Sequence, residues 1–152
     1  MFGTNELILV NLVLSAILTG LIWTIQIVHY PGFMGVGTQD FLAYQQQHMR
    51  TISYVVVPLM LSELAATVFL LFRTPAFCTK EIYTAAVMVG IIWVTTMLVS
   101  SPLHGKLASQ GYDTEIIRRL VATNWIRTVA WTVRTAILSG VIWYMLKHPS
   151  HA

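Results

Sequence analysis

Seven residues of this sequence are of types and spacings that could do chemistry: His29, His48, His104, Asn124, Arg127, Glu63 and Arg134. Neutral imidazoles are the commonest transition-metal ligands and need no proximity in sequence, so His29, His48 and His104 could hold zinc, copper or iron. Two of them on different helices could instead hold a haem, with arginines pairing to its propionates. Without any cofactor, they could serve as proton donors and acceptors. Asn124 and Arg127 would orient an anionic or carbonyl oxygen, and Glu63 with Arg134 would support the site from beneath. The sequence has no His-x-x-x-His or Glu-x-x-His pair. Glu63 is the only carboxylate within its apolar segments, which sets aside a di-iron carboxylate centre. A single histidine flanking an apolar segment is ordinarily a polar anchor, so the metal or haem reading depends on the three converging.

Convergence depends on the elements that carry them. Four segments, Leu7 to Val28, Thr51 to Phe72, Ile82 to Ser101 and Leu120 to Leu146, have the roughly 20 mostly apolar residues needed to cross a bilayer. Each must be a helix, since four strands cannot close a barrel in lipid. The expected fold is an all-α, up-down-up-down membrane four-helix bundle forming a single domain over residues 1–152. The first segment has no Lys or Arg before it and no small-residue cleavage pattern, so it reads as a span rather than a leader.

The connections refine this picture. Arg73 to Glu81 is short and contains Pro75, making the second and third helices antiparallel neighbours. Tyr30 to Thr38, with Pro31 and three glycines, reads as a loop, as does the stretch holding Pro102, Gly105 and Gly111. Helix-favouring residues resume at Gln39, where Thr38 and Asp40 could cap, and at Asp113, a second N-cap candidate. The second and fourth helices should therefore extend beyond the bilayer on one side. Pro58 should kink the second, which bundle neighbours tolerate.

Composition agrees with a lipid environment. Hydrophobic residues make up 56% of the chain and charged residues 10%, against about 25% charged in an ordinary soluble domain. Basic residues are not clustered among polar aromatic segments, which excludes nucleic-acid binding. The single cysteine, Cys78, excludes an internal disulfide and any cysteine-rich metal centre. Arg50, Lys106, Arg118 and Arg119 lie on one side and Arg73, Lys80 and Lys147 on the other. The positive-inside rule then puts the first and third loops in the cytoplasm, as expected for a bacterial inner-membrane protein.

Both termini on one side would bring His29, His48 and His104 to the other membrane face, leaving His148 and His151 in a solvated tail at the opposite end. Helical spacing adds a polar stripe to each of three spans: Thr19, Trp23, Gln26 and Tyr30; Trp93, Thr96, Ser100 and His104; Asn124, Arg127, Trp131 and Arg134. Intramembrane charges are costly unless paired or facing a cavity. Glu63 and Arg134 lie at similar depth and are expected to pair, with Arg127 about two turns shallower. Trp23, Trp93 and Trp131 could line a pocket for a flat lipophile, or, with Trp125 and Trp143, simply favour interfaces and bundle cores.

His29-Tyr-Pro-Gly-Phe33, the segment from Tyr44 to Arg50, Pro58 to Glu63, Pro102-Leu-His104, and Thr123-Asn-Trp-Ile-Arg127-Thr followed by Trp131-Thr-Val-Arg134 resemble small four-span bacterial membrane proteins of largely unassigned function. Size, span count and the Asn-Trp-x-Arg opening of the last helix are also similar to the anthrone oxygenase-like membrane family. That resemblance implies a membrane enzyme that adds oxygen to a polycyclic phenol, and it carries over only Asn124 and Arg127. The leading expectation is thus a small membrane oxidoreductase acting on a lipophilic molecule. A non-enzymatic accessory subunit of a membrane complex, or a small-molecule transporter acting as a homo-oligomer, would account for the same helices. Four spans without paired broken helices speak against transport.

Overall fold

The computed structural model describes residues 3–149. Almost all of them are helical, in four rods: α1 (Thr4–Gly35), α2 (Phe41–Leu71), α3 (Ala76–Gln110) and α4 (Thr114–Lys147). Each is long and apolar enough to cross a membrane. At 31 to 35 residues they reach about 47–52 Å, well beyond a hydrocarbon core of roughly 30 Å.

The distribution of side chains differs from that of a water-soluble bundle. Ile27, Val28, Tyr54, Phe69, Phe72 and Leu98 lie exposed on the outside, while Asn11, Gln26, Gln45, Glu63, Asn124, Arg127 and Arg134 are buried between the helices. Lipid rewards this arrangement, because an outward apolar face costs nothing there and a polar group must find its partner inside. α1 packs against α2 and α4, α3 packs against α4, and α2 against α3. Two apolar clusters fill the interior, one around Ile22, Phe33, Phe41, Leu107 and Leu120, the other around Ile8, Leu70, Ile82 and Leu138.

The expected breaks at Pro31 and Pro102 do not occur, and the loops drawn around them shrink accordingly. α1 runs as α-helix over Thr4–Thr24, widens into a π-helical turn over Ile25–His29, then continues through Tyr30–Gly32 into a 3-10 turn at Phe33–Gly35. α3 repeats the device, with α-helix over Thr79–Thr95, a π-helical turn over Thr96–Ser100, and α-helix again over Ser101–Gln110. In both rods the wide turn ends two residues before the proline. Proline lacks an N–H and its ring collides with the carbonyl four residues earlier, here Ile27 and Leu98. Both carbonyls lie inside the wide turn, which absorbs the misfit without ending the rod. All four helices are consequently long, not only α2 and α4. Pro58 sits inside a continuous α2.

Local signals govern the remaining ends. Asp113 caps α4, its carboxylate accepting from the backbone N–H groups of Glu115 and Ile116 at 2.8 and 3.0 Å. Asp40 precedes α2 but makes no side-chain cap bond, so the cap expected from Thr38 and Asp40 is not formed. Gly111 closes α3 at φ 85°, ψ −152°, a conformation essentially reserved for glycine.

Candidate functional site

The buried polar groups form two layers. In the deeper one Glu63 and Arg134, both at most 1% exposed, pair at 3.0 Å between Nε and Oε1. Arg134 Nη1 donates to the Ala85 carbonyl at 2.7 Å, and Nη2 donates to Asn11 Oδ1 at 2.7 Å and to Thr67 Oγ1 at 2.9 Å. The second carboxylate oxygen accepts from Trp131 Nε1 at 3.1 Å. Asn11 Nδ2 completes the layer by donating to the carbonyls of Leu7 and Ala66. Every nitrogen of the guanidinium and both oxygens of the carboxylate have partners. This satisfaction is the condition under which a buried pair is tolerated, and losing one member typically costs about 3–5 kcal/mol. The expected pairing of Glu63 with Arg134 is present, and its geometry makes it a packing element tied to all four helices.

The shallower layer gathers the other candidates. Asn124 Nδ2 donates to Gln26 Oε1 at 2.8 Å, and Arg127 Nη2 donates to Asn124 Oδ1 at 2.5 Å and to the Tyr30 hydroxyl at 3.1 Å. That hydroxyl lies 2.8 Å from His104 Nε2, and His104 Nδ1 lies 2.8 Å from Gln45 Nε2. A continuous chain of hydrogen bonds thus runs Gln26–Asn124–Arg127–Tyr30–His104–Gln45, crossing all four helices. Its short spacings, Gln26 to Tyr30 and Asn124 to Arg127, are the four- and three-residue steps that share a helix face. Beside it, His29 Nε2 and His48 Nδ1 are 2.9 Å apart. The fully buried Phe33 ring stands steeply to the rings of His29, His48 and His104, at centroid distances of 5.1, 5.2 and 6.2 Å.

His48 is in ring contact with both His29 and His104, and four of the six ring nitrogens of these three residues are in hydrogen bonds. His104 has both in hydrogen bonds, and His29 and His48 each spend one on the other. Among the described residues no set of three or more His, Cys, Asp or Glu side chains is grouped as a metal site. A haem between His29 and His48 would have to separate two rings in direct hydrogen-bond contact. As arranged, His104 offers no free ring nitrogen and His29 and His48 one each, so the three do not present a ready-made donor set for a metal or a haem.

A cavity of about 250 Å³ opens beside this layer. Leu18, Ile22, Ile25, Ile52, Val56 and Met60 supply apolar wall, and Tyr30, His48, His104 and Arg127 supply the polar part. Trp93 and Trp131 line it as well. Trp23 does not; it is 39% exposed, donates to Thr132 Oγ1 and packs edge-on against Trp125. Trp143 is exposed, with the Lys147 ammonium over its ring. His148 stacks on Tyr144 at the other end of α4, exposed, and His151 lies outside the described residues.

Four buried polar atoms have no hydrogen-bond partner among the described residues: Trp93 Nε1, Ser100 Oγ, Arg127 Nε and Gln45 Oε1. An unsatisfied buried group costs about 1–3 kcal/mol. Three of the four belong to residues that line the cavity, and Gln45 holds His104, which also lines it.

Tyr30, Gln45 and Asn11 are the residues that sequence reasoning under-weighted. Tyr30 was placed on a stripe but reads as the first residue of a loop, and the hub role it takes follows from the helix continuing through Pro31. Asn11, an amide in an otherwise apolar segment, carried the same intramembrane signal as Glu63 in weaker form. No protein-family model, characterised protein or solved structure matches this chain.

Proposed function

We propose that this chain is a small integral membrane oxidoreductase that takes a lipophilic substrate from the bilayer into the cavity beside Tyr30, His104 and Arg127. The helices cross the membrane up-down-up-down. Asn11, early in α1, bonds the carbonyl of Ala66 late in α2, whereas His29, late in α1, meets His48 early in α2, as antiparallel neighbours would. The basic residues Arg50, Lys106, Arg118 and Arg119 favour a cytoplasmic position for the histidine-bearing end of a bacterial inner-membrane protein.

The observation that carries the reading is an apolar-walled cavity that ends on a hydrogen-bonded proton donor and acceptor pair, Tyr30 and His104, beside a buried cation. Such a cavity holds the body of an apolar molecule and orients its few polar atoms. Arg127, steadied by Asn124, would direct the substrate oxygen. Tyr30 and His104 would receive the proton that leaves as the substrate is oxidised. The Gln45 amide can meet His104 Nδ1 with its nitrogen or, after a half-turn, its oxygen. His104 can then change tautomer, and so pass a proton, without moving its ring.

The resemblance to the anthrone oxygenase-like membrane proteins supports polycyclic phenols as substrates, with dioxygen as co-reactant. Oxygen uptake by the protein in lipid nanodiscs, with a panel of polycyclic phenols, tests this. Uptake that exceeds protein-free nanodiscs and falls in Tyr30→Phe and His104→Gln is expected. Uptake no greater than the protein-free background across the panel would sink the reading.

A further inference from the structure

Two arginines lie seven residues apart on one face of α4, and their surroundings differ in a way that points to a ligand. Arg134 has a carboxylate partner in Glu63. Arg127 is only 6% exposed, yet its partners are all neutral: Thr96, Tyr30 and Asn124. The only ion pairs among the described residues are Arg134 with Glu63 and Arg119 with Glu115. A guanidinium held away from water without a counter-charge favours an anion beside it.

The donors without partners agree in sign. Arg127 Nε, Trp93 Nε1 and Ser100 Oγ can each donate a hydrogen bond, and although the three atoms are themselves covered, the residues bearing them all line the cavity. An indole and a guanidinium only donate, so the molecule that satisfies them must accept. The imidazoles of His48 and His104 and the Tyr30 hydroxyl add no negative charge. Among the described residues no carboxylate lines the cavity.

We infer that the cavity binds a lipophilic acid as its monoanion, a carboxylate or phenolate. Its charged oxygen takes hydrogen bonds from Arg127, Trp93 and Ser100, and its apolar body lies along Ile22, Ile52 and Met60. The inference rests on the cavity being the substrate site and not on the redox step. Oxygen uptake without anion preference would leave the oxidoreductase reading standing and overturn this one.

The test is equilibrium binding to the full chain in nanodiscs, corrected for partition into protein-free nanodiscs, of probes sharing one body: 2-naphthoate, its neutral amide and 2-naphthylmethylammonium. Laurate serves as a straight-chain acid. Naphthoate or laurate should bind about tenfold or more tighter than the amide, as a charge-assisted contact would give. The tighter of the two anions tells a flat aromatic acid from a fatty acid. Arg127→Gln should erase the preference, and Ser100→Ala and Trp93→Phe should each weaken anion binding several-fold, and more than they weaken binding of the amide. No anion binding, equal binding of amide or ammonium, or an anion preference that survives Arg127→Gln overturns the inference. If Arg127→Gln does not fold, unchanged anion affinity in both Ser100→Ala and Trp93→Phe does so instead.

Discussion

Trp131 Nε1 donates to Glu63 Oε2 at 3.1 Å while its indole ring lines the cavity, so the buried ion pair and the candidate site share one side chain. The deeper polar layer fixes the wall of the shallower one. Glu63 does not line the cavity, and Trp131 links it to the site.

Glu63→Gln should lower stability by about 3–5 kcal/mol, because it leaves the Arg134 charge buried without its counter-ion. Thermal or denaturant unfolding in detergent reads this. The double change Glu63→Gln with Arg134→Met should cost less than Glu63→Gln alone, since no buried charge remains. Additive losses would mean that the two side chains act independently.

Trp131→Phe separates the two roles of that residue. An aromatic ring remains, smaller than the indole, but one carboxylate oxygen loses its donor, a loss of about 1.5–3 kcal/mol for a hydrogen bond to a charged group. Binding of any cavity ligand should weaken too. A variant with native stability would show that Glu63 finds a replacement donor.

Tyr30→Phe removes the hydroxyl that joins Arg127 to His104 and leaves the ring packing on Phe33 in place. If that hydroxyl carries the proton, turnover should fall by roughly 100- to 10,000-fold with little change in ligand affinity. Loss of affinity with turnover per bound ligand preserved would make Tyr30 a binding residue instead.

The mutual engagement of His29 with His48, and of His104 with Tyr30 and Gln45, bears on cofactors directly. Protein purified gently from membranes should show no Soret band and no near-stoichiometric metal by elemental analysis. A band or a metal that disappears in His48→Ala would mean that the imidazoles open to ligate, and would restore the metal or haem reading of His29, His48 and His104.

How much of this was legible beforehand follows from the range of the interactions involved. The four rods are written in four apolar stretches long enough to cross a bilayer. Pairing of Glu63 with Arg134 follows from equal depth and the cost of an unpaired charge in lipid. The meeting of His29, His48 and His104 follows from helix ends brought to one side. Their ring orientations do not, because those depend on Phe33, Tyr30 and Gln45, whose positions depend in turn on α1 and α3 passing through their prolines. A proline ordinarily ends a helix, and sequence alone does not say when a π-helical turn will rescue one. Trp23 shows the opposite error: it shares a stripe with Gln26 and Tyr30 by spacing, yet its indole lies on the outside with Trp125.

Those prolines offer the last test. The π-helical turns Ile25–His29 and Thr96–Ser100 each precede a proline and flank the site, carrying His29 and Ser100 on the turns and Tyr30 and His104 just beyond. Pro102→Ala restores an N–H and removes the ring, so the turn at Thr96–Ser100 can tighten toward α-helix. Tightening would rotate Ser101 to Gln110 about the helix axis relative to Trp93, displacing His104 from Tyr30 and Gln45. Stability should hold or rise, since an interior proline costs a helix about 3 kcal/mol. Ligand turnover should fall by about 100-fold, the scale expected for a reacting group misplaced by an ångström. Native turnover together with native stability would show that packing against α2 and α4, not Pro102, sets the wide turn.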